Sequence, residues 1–183
     1  TETTQYFASA LVRHEGGIVT NTYADKASLR LNLDQQVGKR LKLSTGSEVI
    51  RTANDRGMFG NDNAGTSYYF VLLHHPNFFD LRAVCPDGSR QVKCTGGVYP
   101  VNPFVTSNPL QSANLMKRDE EVWRVLTSGR AQLDAISSTQ HTLRFILNGG
   151  FDHFVQENGI VSPPELQFEP NDGELGTALL KES

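Results

Sequence analysis

Asp119-Glu120-Glu121-Val122-Trp123-Arg124-Val125-Leu126, running on through Leu133 to Ile136, is the stretch on which the fold class turns. Apolar Val122, Leu126, Leu133 and Ile136 recur at helical spacing, with Trp123 beside them. The three acids stand where the dipole of a first turn favours them. The spacing predicts a helix from Asp119. A second helical stretch carries Leu143, Phe145 and Ile146, and Asn148-Gly149-Gly150 supplies its stop.

Everything upstream reads as antiparallel strands. Gln5–Arg13 and Ile18–Tyr23 are two strands joined at Glu15-Gly16-Gly17, where glycine provides positive φ. Ala27–Leu33 alternates Leu29, Leu31 and Leu33 on one face. Lys39–Ser44 turns Arg40, Lys42 and Ser44 to one side and Leu41 and Leu43 to the other. Thr52–Thr66, rich in Asn, Asp and Gly, is expected as a long loop. Ser67–His75, aromatic and apolar and closed by Pro76, predicts a strand covered on both faces. Asp80–Cys85 and Arg90–Cys94 flank a tight turn at Pro86–Ser89, and Val98–Thr106 predicts an edge strand interrupted by Pro100 and Pro103. Strands first and helices last give an α+β expectation: an N-terminal hairpin and antiparallel β-sheet followed by two C-terminal α-helices.

The 183 residues suit one domain with a tail. Net charge is −3, unevenly spread: from Gly150 onward seven acids face one base, Lys181, leaving −6 there and +3 over residues 1–149. A mildly basic body is compatible with RNA. The expected division is a body over 1–150, with strands in 1–107 and helices in 117–150, and an acidic C-terminal extension over 151–183. No stretch approaches the roughly 18 apolar residues of a membrane helix, and no basic-then-apolar leader pattern is present.

Catalytic patterns are missing from the sequence. His74-His75 is the only histidine pair, and strand neighbours point to opposite faces, so the two cannot chelate one metal. There is no HExxH, GxSxG, P-loop or GxGxxG, and no zinc-type Cys/His spacing. No enzyme, metal or cofactor is expected. If Asp87-Gly88 is a two-residue hairpin turn, Arg90 lies opposite Cys85 and Cys94 falls too far down the other arm for a bridge. Cys85 and Cys94 are then free thiols or partners in bonds between chains.

The order Lys39–Ser44, loop, Tyr68/Tyr69…Val71…Leu73…Pro76, Cys-containing Asp-Gly-Ser turn, and Asp119-Glu120-Glu121 opening an apolar helix resembles the coat proteins of single-stranded RNA bacteriophages (levivirus-like). Ala27-Ser28-Leu29 fits the same order, and the resemblance spans roughly residues 1–150. It implies an intertwined homodimer, each subunit laying its helices over the partner's sheet, and dimers closing an icosahedral T=3 shell around single-stranded RNA. The expected place is the virion, assembled in the bacterial host cytoplasm, with translational repression through an RNA hairpin as a further role. It implies Arg40, Lys42 and Ser44 as RNA contacts, joined by His74, and makes Cys85 and Cys94 candidates for inter-subunit disulfides around the shell's symmetry axes. The apolar Tyr68–Leu73 run, the long Thr52–Thr66 loop and the tail beyond Gly150 depart from that family's pattern. The alternative expectation is a β-sheet ligand- or protein-binding module that does not assemble into a capsid.

Overall fold

The computed structural model describes residues 3–59, 66–169 and 176–182. Its main feature is a six-stranded antiparallel sheet, ordered β1-β2-β3-β6-β7-β8. The strands are β1 (Thr4–Gly16), β2 (Tyr23–Val37), β3 (Leu41–Asp55), β6 (Lys117–Ser137), β7 (Thr142–Ser162) and β8 (Thr177–Glu182). Between β3 and β6 lie α1 (Tyr68–His74), the two-stranded ladder of β4 (Ala83–Val84) and β5 (Arg90–Gln91), and α2 (Pro109–Leu115).

The α+β expectation with two C-terminal helices, and with it the intertwined dimer built from those helices, is overturned. The segments read as helices are β6 and β7, each of 21 residues. In β6 the comb Val122, Leu126, Leu133, Ile136 coexists with a period of two, in which Trp123, Val125, Thr127, Gly129, Ala131, Leu133 and Ala135 alternate with Arg124, Leu126, Ser128, Arg130, Gln132 and Asp134. The ladder decides between them. Asp134 N–H donates to the Arg40 carbonyl at 2.9 Å and Arg56 N–H to the Arg118 carbonyl at 3.4 Å, which fixes β6 antiparallel along β3. The acids expected to cap a helix pair across strands instead: Glu120 with Arg56 at 2.5 Å and Glu121 with Arg51 at 2.7 Å. Asn148-Gly149-Gly150 stops nothing and lies inside β7.

The reverse error occurred at Ser67–His75, which forms α1. The Ser67 hydroxyl accepts from the Phe70 amide as an N-cap, and Tyr68 and Val71, one turn apart, are buried. Among the described residues after Ser162, Thr177–Glu182 are paired as β8. β8 runs antiparallel to β7, from Ser162↔Thr177 to Glu157↔Glu182, and Leu166 is buried. Of the expected 52–66 loop, β3 occupies the first residues to Asp55, and residues 60–65 lie outside the described residues.

Two compact units share the chain. One comprises 1–14, 25–52 and 121–156; the other comprises 15–24, 53–120 and 157–183. The second holds every buried apolar residue among those described: Tyr68, Val71, Leu81, Ala83, Cys85, Ala113 and Leu166. Burial pushes the Tyr68 hydroxyl up to about 12. So small a core is supplemented by side-chain amides. Asn108 donates to the carbonyls of Leu81 (2.9 Å) and Pro100 (3.0 Å) while its oxygen accepts from the Leu110 and Gln111 amides. Gln111 and Gln167 cross-link the same loops, Gln111 donating to the Glu165 carbonyl and Gln167 to that of Pro100.

A disulfide joins Cys85 to Cys94 within the chain, with Cα atoms 5.9 Å apart. That pairing replaces both expected states of the cysteines, free thiols and inter-subunit bonds. The hairpin register is Ala83↔Gln91 and Val84↔Arg90, which puts Ser89 rather than Arg90 opposite Cys85. Beyond Gln91 the arm does not continue. It folds back so that Gly97 N–H bonds the Cys94 carbonyl and Val98 pairs with Val84, bringing Cys94 beside Cys85.

Candidate nucleic-acid interface

In the first unit, the sheet offers two chemically different faces, because successive residues of a strand point to opposite sides. Cross-strand contacts identify the polar face. Ser44 donates to Asp34, Arg124 forks onto Asp152 with Nε 2.8 Å from Oδ1, and Arg144 Nε lies 2.5 Å from Asp134. The Arg124 guanidinium holds the Asp152 carboxyl below its usual range.

Lys42 and Ser44, two residues apart on β3, share this face, as the sequence reading required. Arg40 sits just before β3, its Nη1 3.5 Å from the Ala135 carbonyl. Around Ser44 the sheet gathers residues that sequence reading missed: Asn32, Arg130 and Asn148, which line one groove of ≈400 Å³ with Asp34 and Ser128. A second groove of ≈430 Å³ shares Asn32, Gly46 and Ser128 and adds Arg30 and Asp152. Gly46 keeps the floor low: a Cβ there would stand 3.0 Å from Asn32 Oδ1 and 3.4 Å from Ser128 Oγ. Arg30, Lys42 and Arg130 have no carboxylate partner among the described residues. Arg30 in one groove and Arg130 in the other stand among Ser and Asn side chains and the acids Asp34, Glu48 and Asp152. With Lys42 on the same face they offer cationic groups that can meet an extended polyanion. The signal for Arg130 was the alternation in β6 that the helical comb concealed.

His74 is not brought to this face. It occupies the last turn of α1 in the second unit, its ring stacked on Phe70 at 4.3 Å and Nδ1 donating to the Phe70 carbonyl at 2.8 Å. The His74-His75 pair is thus a helix end, not two strand neighbours; His75 Nε2 donates to the Phe79 carbonyl at 3.0 Å. Among the described residues, no cluster of three or more His, Cys, Asp or Glu could hold a metal ion. Among those same residues, no helix is long and apolar enough to cross a membrane.

The opposite face is apolar. β1 contributes Tyr6 and Val12, β2 Leu29, Leu31 and Leu33, β3 Leu43 and Val49, β6 Trp123, Val125 and Leu133, and β7 Leu143, Phe145, Leu147 and Phe151, all exposed. Tyr6 and Leu147 are 84% and 73% accessible. Charged groups gather toward one end, where Arg51 lies 5.7 Å from the Trp123 ring centroid and Glu121 accepts from both. Arg51 first, then the indole N–H, hold the Glu121 carboxyl below its ordinary value. No protein-family model matches the chain, and no curated protein is significantly similar to it.

Proposed function

We propose that this chain is a structural, shell-forming protein of a virion that self-associates through the apolar face of its sheet and holds single-stranded RNA on the polar face. One observation carries the reading. The first unit has not one buried apolar side chain among its described residues, yet it displays large aliphatic and aromatic groups across a whole sheet face. A sheet of that kind needs a second layer over it, and contiguous apolar patches of such extent mark association surfaces. The helices that would have supplied a layer in an intertwined dimer are strands here, so the sheet itself is the associating element. Arg30, Lys42 and Arg130 on the other face, with Arg40 at its border, supply sequence-independent phosphate contacts. The Cys85–Cys94 bond suits a particle that ends in oxidising surroundings.

The test is electron microscopy of the purified chain together with nuclease digestion. Discrete particles containing nuclease-protected RNA are the expected result. A monodisperse, nucleic-acid-free monomer contradicts the proposal and favours a binding module whose partner is another protein.

A further inference from the structure

Resting on the self-associating reading above, we infer that the layer covering the apolar face is the same face of a second copy, related by a two-fold axis running along β3. The argument is one of size. Gly46 lies beside both Asn32 and Ser128 on the polar face, and Thr4 on β1 donates to Gln35 on β2 at 2.6 Å. These contacts align Tyr6, Leu33, Thr45 and Gly129 as one row across the apolar face, and the Asp134–Arg144 pair with Gly150 against the Thr127 carbonyl adds Gly149 on β7. The row is bulky on the β1–β2 side and bare on the β6–β7 side. A Cβ added at Gly129 or Gly149 would meet nothing within 4 Å, and both glycines line an apolar furrow of ≈630 Å³ walled by Leu33, Leu43 and Leu147.

In the sheet order, β3 is the middle of the five strands β1-β2-β3-β6-β7. A two-fold axis along it lays β2 of each copy over β6 of the other, and β1 over β7. Leu33 then enters the furrow over the partner's Gly129, and Tyr6 stands over the partner's Gly149. In the next row, aligned by the Ser47–Thr127 hydroxyl pair, the sizes reverse at the margin: small Ala8 meets the partner's Phe151, and Leu31 meets the partner's Thr127. Large meets small at each of these places, which is what an isologous interface requires. Both rows are free of formal charge.

The area also suffices. Five strands about 4.8 Å apart, with about 12 residues of each in contact, present roughly 950 Å² per copy, so two copies bury about 1,900 Å² or more, near the range of obligate dimers. Sheets stacked this way lie about 10 Å apart with strands nearly aligned. A lipid layer is the poorer occupant, because an open sheet has edge strands whose free backbone groups hydrocarbon cannot satisfy.

Leu33→Cys combined with Gly129→Cys tests the geometry. Within one chain these positions lie side by side two strands apart, about 10 Å, with parallel Cβ vectors and beyond disulfide reach. Across the interface the Cβ vectors point at each other, the arrangement bridged by the inter-sheet disulfide of immunoglobulin sandwiches, so a bond between them joins two chains. Mild oxidation should give a covalent dimer on non-reducing gels, and Asn32→Cys with Ser128→Cys on the polar face should give none. As a second measure, Gly129→Leu should weaken association at least tenfold, and adding Leu33→Ala should recover most of the loss. Oligomers that form without a link between the two introduced thiols, or association indifferent to Gly129→Leu, overturn this pairing but leave the self-associating reading standing. A wild-type chain that stays monomeric overturns both.

Discussion

Asn108 is the side chain on which the second unit most depends, and replacing it gives a quantitative test. It is fully buried, it caps α2, and its amide donates to the Leu81 and Pro100 carbonyls. Asn108→Ala removes the cap, at about 1 kcal/mol, and strands the buried Leu81 carbonyl, at about 1–3 kcal/mol. The Pro100 carbonyl keeps its bond from Gln167 at 2.8 Å and adds little. The expected loss is therefore roughly 2–4 kcal/mol, read in urea as a midpoint lower by about 1–2 M for a slope near 2 kcal/mol/M. Asn108→Asp separates the two roles. Its carboxylate can still cap α2 but faces the two carbonyls with no proton to donate, so its folded pKa is raised. Stability linked to a raised pKa is whole at low pH and is lost as pH climbs through the folded value. Asn108→Asp should thus approach wild type near pH 4 and fall away toward pH 7, while Asn108→Ala stays low throughout. A cost below about 1 kcal/mol for Asn108→Ala, or a pH-independent Asn108→Asp, would refute the amide-network account.

Replacing both Cys85 and Cys94 with alanine reopens a loop whose ends are nine residues apart; loop-closure entropy puts the loss at about 2.7 kcal/mol, measured by chemical denaturation of oxidised and double-alanine protein. Carboxyl NMR should find Asp80 titrating at about 2 because Arg82 holds it, with a return toward 3.8 in Arg82→Ala; the stabilisation is complete above 3.8 and lost as pH falls through about 2. Lys42→Ala with Arg130→Ala should weaken RNA binding at low salt and reduce the salt slope by about 1.4 per subunit if each neutralises one phosphate of a single strand. Filter binding across a salt series checks it, and an unchanged slope removes both residues from the interface.

Much of the strand layout was legible where alternation had no helical rival. Leu29, Leu31 and Leu33 in β2, and Leu41 and Leu43 against Lys42 and Ser44 in β3, could be read from local pattern alone. β6 could not, because Leu133 satisfies both periods and the partners that select the strand, Arg51 and Arg56, lie 70 and 64 residues from the acids they pair with. α1 failed in the opposite sense: a seven-residue apolar run is ambiguous by periodicity, and the Ser67 cap resolves it. Lys42 and Ser44 could be put on one sheet face from sequence because they share one strand with a known phase. Arg130 and Asn148 were hidden by the false helices, and His74 was misplaced with the strand that became α1. The cysteine pairing was missed because it depends on the chain folding back after Gln91, which hairpin arithmetic does not contain.

The claim that the apolar sheet face exists to be covered by another copy is tested most directly by sedimentation equilibrium of the purified chain from nanomolar to micromolar concentration, with circular dichroism on the same samples. The account predicts dimers or larger species throughout the micromolar range, with sheet signal that weakens as dilution releases monomer. A monomer at every concentration with undiminished sheet signal would contradict it.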